Sequence, residues 1–422
     1  MTSYNKTLII SLLKLKMQTN YDIVIIGGGP AGLSFACSMI DANAQILVVE
    51  KANIDAISKP KPDGREIALT HLSLGILKKL GVWDLVEQKE VSLLKEAKVF
   101  DGDSASLLNF RSETSGIEAL GYLVPNYQLR QALYRRVQQA ENITVMTDAL
   151  VEDVASHESH SDVLFADGKT IVAKLVIAAD SRFSNIRRKV GIPSTMKDFS
   201  KVMIVTTMKH EKSHNNIALE CFDYGQTLAL LPMVGNESSV VLTLETQNSK
   251  AMLALSEEDF NAKITQGFRN ELGQMMQVGE RHSYPLVGVH AKTFIAKRFA
   301  LVGDAAVGMH PVTAHGFNLG LRGQNILATL VKEALMHGQD IGAQSLLKRF
   351  ENKQIHLSKV MFFGTNGVVA LFTNDSPMAK QIRRFVLNFA EHFPPIKRLI
   401  TNHLTEASKS AFPTLKKVLT HK

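Results

Sequence analysis

An α/β fold is predicted for this chain: a Rossmann-like first part, an interleaved sheet-containing second part and a helical C-terminal region. Three observations predict it. A short apolar run, Asp22 to Ile26, leads into three glycines and a helix-prone segment. A second apolar run, Ile46 to Val49, follows as the next parallel strand of a βαβ unit does. Between residues 91 and 290 short strand-like segments recur, and from Gly316 onward helical periodicity takes over.

Gly27, Gly29 and Gly32 stand on the spacing G-x-G-x-x-G. The first glycine permits a tight turn, the second lets a pyrophosphate approach the backbone, and the third lets helix and strand pack closely. The helix start then offers free N–H groups and a positive dipole end to phosphates. The next strand ends in Glu50, 23 residues after Gly27. An acid there accepts hydrogen bonds from an adenosine ribose and favours a 2′-hydroxyl over a 2′-phosphate, so the site fits FAD or NAD better than NADP.

The 422 residues suffice for two or three domains with a large core, and 45% apolar with 21% charged residues is a globular composition. Cys37 and Cys221 are the two cysteines. They are too few for a disulfide framework or a cysteine-based zinc site, so no metal is expected and a reducing, cytoplasmic compartment is. The net charge of +8 lies at the ends: Lys380 to Lys422 hold nine Lys/Arg against two acids, and Met1 to Asn20 three lysines and no acid. Basic ends suit an anionic membrane surface. Nucleic acid is not expected, because no basic face is interleaved with aromatics. No run approaches the ~20 apolar residues of a spanning helix. Residues 1–16 lack a cleavage site and read as a disordered extension before Met17.

Taken in order, Asp63-Gly64 is a turn signal and Arg65 stands ahead of an apolar-periodic helix expected over Ile67 to Leu80, ending at Gly81. An arginine at a helix start opposes the dipole and calls for an anionic partner. Short alternating segments from Val91 to Val124 read as antiparallel strands. Asn126 opens an amphipathic helix with Leu129, Leu133 and Val137 on one face. ITVM is a strand, and the segments around Asp167-Gly168 form a meander. Lys174 to Asp180 is a buried strand ending in an acid. Strands recur from Lys201 to Leu244. A helix capped by Ser256 is expected to run to about Gln277. The segment Ala300 to Gly323 is a strand ending at Gly303-Asp304, a loop with Pro311, and a helix opened by Gly316, Phe317 and Asn318. The expected domains are discontinuous: 17–90, 125–195 and 291–370 bind the dinucleotide, 91–124 and 196–290 hold the substrate, and 371–422 form the helical C-terminal region.

Three stretches in this order, GGGPAG, AADSRFSNIRR and GDAAVGMHP, resemble the class A flavoprotein monooxygenases, the group typified by para-hydroxybenzoate hydroxylase. Within it, HP-x-x-x-x-GFNLGLR resembles the ubiquinone-biosynthesis hydroxylases, and DGREIALTH, Asp63 to His71, looks most like their UbiM-type branch. The resemblance implies a para-hydroxybenzoate hydroxylase fold with FAD as cofactor. It implies that the first glycines hold the ADP part, Asp304 the ribityl chain, and the backbone of Gly316, Phe317 and Asn318 the N1–C2=O edge of the flavin. Arg65 matches an arginine near the ribose and pyrophosphate, and Asn126 a polar position at the start of a helix that contacts the cofactor. Asp180 and Pro311 fall in the central and late motifs. The central motif departs from the family's GADG-x-x-S-x-x-R: Ala178 and Ser181 replace both glycines, while Asp180, Ser184 and Arg187 remain.

The implied reaction is hydroxylation of the aromatic ring of a prenylated phenol or quinol. NADPH or NADH reduces FAD, and O2 gives a C4a-hydroperoxyflavin that the ring attacks. The resemblance also implies a peripheral contact of the basic C-terminal region with the cytoplasmic face of the inner membrane, and a quinone-biosynthesis complex as partner. No catalytic residue is assigned; His71, His310 and His315 read as positioned loop histidines. Two alternatives stay open: an isoprenoid reductase on the same scaffold, and an FAD-bearing scaffold subunit without activity. A halogenase is disfavoured, because its motif needs two tryptophans and Trp83 is the only one.

Overall fold

A computed structural model describes residues 19–102, 108–113, 116–223, 225–311, 315–372, 374, 376–392, 397, 401–402 and 405–406. The extension expected at 1–16 and the last sixteen residues of the basic C-terminal region lie outside them.

In chain order, β1 (Asn20–Ile26), α1 (Pro30–Ser38) and β2 (Ile46–Val49) form the βαβ unit. Then come α2 (Ile54–Ser58), β3 (Glu66–Leu69), α3 (His71–Lys79), β4 (Ser92–Leu94), β5 (Glu96–Asp101), β6 (Leu108–Arg111) and β7 (Gly121–Pro125). They are followed by α4 (Asn126–Val137), β8 (Ile143–Met146), β9 (Val151–Ser156), β10 (Ser161–Phe165), β11 (Thr170–Ala178) and α5 (Asn185–Lys189). The long β12 (Ser194–His210) leads to β13 (Ile217–Asp223), β14 (Gln226–Pro232), β15 (Glu237–Glu245), α6 (Thr246–Leu253) and α7 (Glu257–Gly267). Last are β16 (Met275–Gln277), β17 (His282–Ala291), β18 (Ile295–Ala296), β19 (Phe299–Leu301), β20 (Val307–Gly308), α8 (Gly316–Met336), α9 (Gln344–Phe372) and α10 (Pro377–His392).

The first sheet has the order β18-β19-β11-β1-β2-β8, with β10 and β9 added beyond the start of β11. Its central strands are parallel. Ile23 to Ile25 and Ile46 to Val48 are fully buried, as unbroken runs of Ile, Val and Leu are when helices cover both faces. The second sheet has the order β20-β17-β12-β15-β14-β13-β5-β6, with β16 on β12. It is antiparallel except where β13 runs parallel to β5. A third sheet, β3-β7-β4, joins the two. The segments between 91 and 124 thus divide between two sheets.

Residues alternate across the second sheet. Val202, Ile204, Leu228, Leu230, Val240 and Leu242 pack under α6 and α7, against Met252, Phe260 and Ile264. Met203, Val205 and Leu286 point the other way and cluster with Phe199, Val241 and Tyr284.

Two expected helices are shorter. Glu66–Leu69 is a strand with Ile67 opposite Val124, and the helix begins only at His71, after Thr70 accepts the Ser73 N–H on its hydroxyl at 3.2 Å. Ile67 and Leu69 therefore follow the two-residue period of a strand, and the cap signal of Thr70 marks the true start. Arg65 precedes a strand, not a helix. The helix after Ser256 is capped as expected, with the Asp259 N–H donating to Ser256 Oγ at 3.0 Å. It stops at Gly267 because Arg269 and Asn270 take positive φ, and β16 pairs with β12. A third difference concerns α9, which is long and apolar enough to cross a membrane by length and composition. Ser358, Phe362, Thr365 and Val369 on one of its faces are buried against the body.

Candidate active site

The glycine turn is fixed by close packing. Gly27 has φ +114°, and a Cβ there would lie 2.5 Å from Ala179 O and 2.8 Å from Asp180 Cα. A Cβ on Gly32 would lie 2.0 Å from Gly27 O, so α1 rests directly on the turn. Gly29 is different: a Cβ there would meet nothing within 4 Å. It is the N-cap of α1, no side chain caps it, and Pro30 follows. Open space in front of uncapped N–H groups fits a pyrophosphate. Glu50 is anchored beside the turn, its Oε2 accepting the Gly28 N–H at 2.8 Å and its Oε1 the Ala52 N–H at 2.9 Å. Each oxygen keeps acceptor capacity for a ribose hydroxyl.

The loop before β3 brings a second group to this cradle. Asp63 Oδ2 accepts from Arg65 Nη2 at 2.5 Å, Arg65 Nε at 3.0 Å and Asn126 Nδ2 at 2.8 Å. The Asn126 N–H donates to Arg65 O at 2.9 Å. Tyr284 donates its hydroxyl to Asp63 O at 3.0 Å, and its ring centre lies 5.2 Å from the Arg65 guanidinium. Burial pushes the Asp63 carboxyl up, but Arg65 and Asn126 outweigh it and hold it below the usual range. The anionic partner of Arg65 is therefore met within the chain. Next door, burial and the Glu90 and Asp63 carboxylates push Glu66 up to about 8. Tyr127 donates to Glu90 Oε2 at 2.7 Å.

The late motif packs on the first. Gly303 has φ +59°, and a Cβ there would lie 2.5 Å from Ala31 Cβ, at the start of α1. Asp304 accepts from Arg182 Nη2 at 2.8 Å, and Arg182 Nη1 donates to Val287 O at 3.0 Å. Arg187 of the central motif is buried and donates to Ala305 O at 2.8 Å. Asp180 is exposed beside the glycine turn. The three motifs, far apart in sequence, thus meet. Gly316 opens α8 with nothing within 4 Å of a Cβ, and Phe317 is half-buried. The side chain of Asn318 turns back to the β3–α3 junction, Nδ2 donating to Ala68 O at 2.8 Å and Oδ1 accepting the Thr70 N–H at 3.2 Å. Pro311 is exposed and stands next to residues 312–314, which lie outside the described ones.

The second sheet supplies an apolar floor. Its Met203–Val205–Leu286 face meets the cradle where Ser239 Oγ donates to Gly64 O at 3.0 Å and Tyr284 reaches Asp63. His310 is buried with its ring centre 4.8 Å from that of Phe199. Burial, then the Lys201 and Arg182 charges, push it down to about 4, so it is neutral at pH 7. His71 Nε2 lies 2.8 Å from Ala119 O. His315 is buried at the N-cap of α8.

Sequence reasoning passed over Asp63 except as a turn residue, and gave no role to Arg182, Glu66 or Tyr284. Asp63 had a readable signal, two positions before Arg65; Tyr284 had none locally. The sequence does contain one H-x-x-x-H, His210 to His214, but His210 contacts Lys212 O and Ser238 Oγ, and His214 contacts Met233 O. Among the described residues, one partly exposed group on the β9–β10 hairpin, His157, His160 and Asp162, brings metal-ligand atoms within 4.8 Å of one another.

A family model described as an FAD binding domain matches residues 20–359. Ubiquinone hydroxylase UbiM of Neisseria meningitidis is 44% identical over 92% of this chain and 85% of its own length. Ubiquinone hydroxylase UbiL of Rhodospirillum rubrum is 34% identical over 90% and 89%. Among solved structures, p-nitrophenol 4-monooxygenase PnpA of Pseudomonas putida superposes with a TM-score of 0.74 at 17% identity, covering 92% of this chain and 99% of its own, which shows a shared fold. The open cradle at Gly29, the anchored Glu50 and the converging motifs agree with that match: the chain belongs to the FAD-binding flavoprotein monooxygenases, in the branch that holds the ubiquinone hydroxylases.

Proposed function

We propose that this protein hydroxylates the aromatic ring of a prenylated phenol or quinol in ubiquinone biosynthesis. NADPH or NADH is the reductant and O2 the oxygen source. The observation that carries this reading is the apolar floor of the second sheet meeting the FAD cradle at Asp63, Arg65 and Tyr284. FAD, when bound and reduced, supplies the activation of oxygen that places one oxygen atom on the ring and releases the other as water.

The chain's own residues bind, orient and keep out water. Gly29 and the first turn of α1 would hold the pyrophosphate of FAD, and Glu50 the adenosine ribose. Arg65 and Asn126, positioned by Asp63, would contribute to the same site. Asp304 would hold the ribityl hydroxyls, and the backbone at Gly316 to Asn318 would bind the flavin. Phe199, Met203, Val205, Val241 and Leu286 hold an aromatic ring by apolar contact and keep the reacting centre dry. The test is expression in bacterial strains each lacking one ubiquinone ring hydroxylase, with lipid extracts read by mass spectrometry. Restored ubiquinone in at least one strain is expected. No restoration by an FAD-loaded protein would overturn the proposal.

A further inference from the structure

The helices α9 and α10 each carry an outward row of apolar side chains that the FAD cradle and the floor do not use. Between Val360 and Phe372 on α9, every exposed residue is apolar or glycine: Val360, Phe363, Gly364, Gly367, Val368 and Ala370. Val360 is 70% exposed and Phe363 56%. On α10, Met378, Ile382 and Val386 follow at four-residue steps, 72%, 46% and 42% exposed. Their neighbours Ala379, Arg383 and Leu387, on the same steps, are buried. Each helix thus has one face on the body and an apolar face outward. Their arrangement is fixed. Arg383 pairs with Asp101 at 3.1 Å and donates to the carbonyls of Leu371 and Asn374 at the end of α9, at 3.1 Å and 2.8 Å.

Charge identifies the occupant. Arg383 is spent on buried Asp101, but between residues 352 and 390 the sequence also holds Lys353, Lys359, Lys380 and Arg384 against the single further acid Asp375. Lys353 and Lys359 are exposed on α9. Apolar side chains of this exposure beside lysines suit the interface of an anionic bilayer, where each basic residue adds about fivefold to binding. The surface also adjoins the floor. The ring of exposed Phe363 lies 5.4 Å from that of buried Phe362. Phe362 closes over Gly288, where a Cβ would sit 3.2 Å from it and 3.4 Å from Phe199. Phe199 in turn lies against His310. One layer of aromatic rings separates the outer face from the floor.

We infer that the α9–α10 hairpin is a membrane-docking face: Val360, Phe363, Met378 and Ile382 enter the interfacial region of an anionic bilayer, and a lipid-soluble substrate passes between bilayer and floor along Phe363, Phe362 and Phe199. The docking stands on the surface itself; the passage of substrate rests on the proposed hydroxylase reading.

The test is flotation of the full-length, FAD-loaded protein with vesicles of phosphatidylglycerol and phosphatidylethanolamine, against vesicles of phosphatidylcholine alone. At least about tenfold more protein is expected on the anionic vesicles. Phe363→Asp/Met378→Asp/Ile382→Asp should fall to the phosphatidylcholine level, and Lys353→Glu/Lys359→Glu should lose binding to the anionic vesicles while both variants keep their bound FAD. Equal flotation of either variant and the parent would overturn the proposal. So would an absence of flotation together with a dimer in sedimentation equilibrium that the aspartates dissociate, since a second copy would then cover the face. Complementation of the hydroxylase strains separates the two readings: flotation without complementation removes the hydroxylase and keeps the docking face, and complementation without flotation does the reverse.

Discussion

Arg182 grips the Asp304 carboxylate from two nitrogens, at 2.8 Å from Nη2 and 3.2 Å from Nε. The pair links the motif after β11 to the motif after β19, and both partners are partly exposed. Such a pair adds at most about 1 kcal/mol to stability, so its main role is to aim Asp304. Asp304→Ala should weaken FAD retention about tenfold, or ~1.4 kcal/mol, and Arg182→Ala should weaken it less. Equilibrium dialysis of FAD against each variant measures this, and unchanged retention in Asp304→Ala would remove the residue from the cofactor site.

The glycines separate folding from binding. Gly32→Ala drives a methyl into Gly27 O and should cost the apoprotein about 3 kcal/mol. Gly29→Ala has open space and an extended backbone, φ −79° and ψ −179°, that alanine adopts freely. Its apoprotein should stay within about 0.5 kcal/mol of the parent, yet lose FAD. Urea titration of the apoproteins and the flavin absorbance after purification test the pair. A Gly29→Ala protein that keeps its FAD would contradict the pyrophosphate assignment.

Glu66 carries a pH signature. Its folded-state pKa, about 8, is raised above the ordinary carboxylate value. The folded chain therefore holds a proton that the unfolded chain releases, and stability falls as pH rises between the two values. Glu66→Gln removes this dependence. The variant should match the parent near pH 4 and exceed it by on the order of 2 kcal/mol at pH 8, as read from urea titrations across that range. Parallel curves would show that Glu66 is charged in the fold.

The ion pair of Arg383 with Asp101 is 1% and 2% exposed. Arg383→Met breaks a buried pair from one side and should destabilise by about 3–5 kcal/mol. Arg383→Met/Asp101→Leu should recover most of that loss. The attachment of α10 is read by limited proteolysis: early cleavage in α10 of the single variant is expected, with slower cleavage in the double.

What the sequence shows is local chemistry. Gly27, Gly29 and Gly32, the acid at Glu50 and the helix start at Asn126 all stand in the structure as their neighbours predict, because each depends on a turn, a strand end or a helix end within a few residues. The misread helix over Ile67 to Leu80 has a local cause as well: Ile67 and Leu69 fit either period, and only the β7 partner, Gly121–Pro125, decides for a strand. What the sequence hides is pairing across distance. Arg182 and Asp304 are 122 residues apart, Asp63 and Tyr284 221, and Ala68 and Asn318 250. None of these partners carries a periodicity or a spacing that names the other. The floor is hidden for the same reason: the alternation of β12 shows two faces, and only the packing of α6 and α7 decides which one is covered.

The threading of the chain between its sheets governs how the protein is made. The first sheet takes β1 and β2 early but needs β19, at Phe299–Leu301, to cover the far edge of β11; the second takes β5 and β6 early and ends on β20, at Val307–Gly308. The first sheet is complete only once Leu301 has been made, and the second only at Gly308. A nascent chain stalled before Gly303 carries the glycine turn without the contact that backs it, so the cradle is complete only after more than two thirds of the chain has been made. Cutting the gene at any single position between Gly102 and Arg298 separates strands of both sheets, which makes the protein a poor candidate for splitting there into independently folding halves.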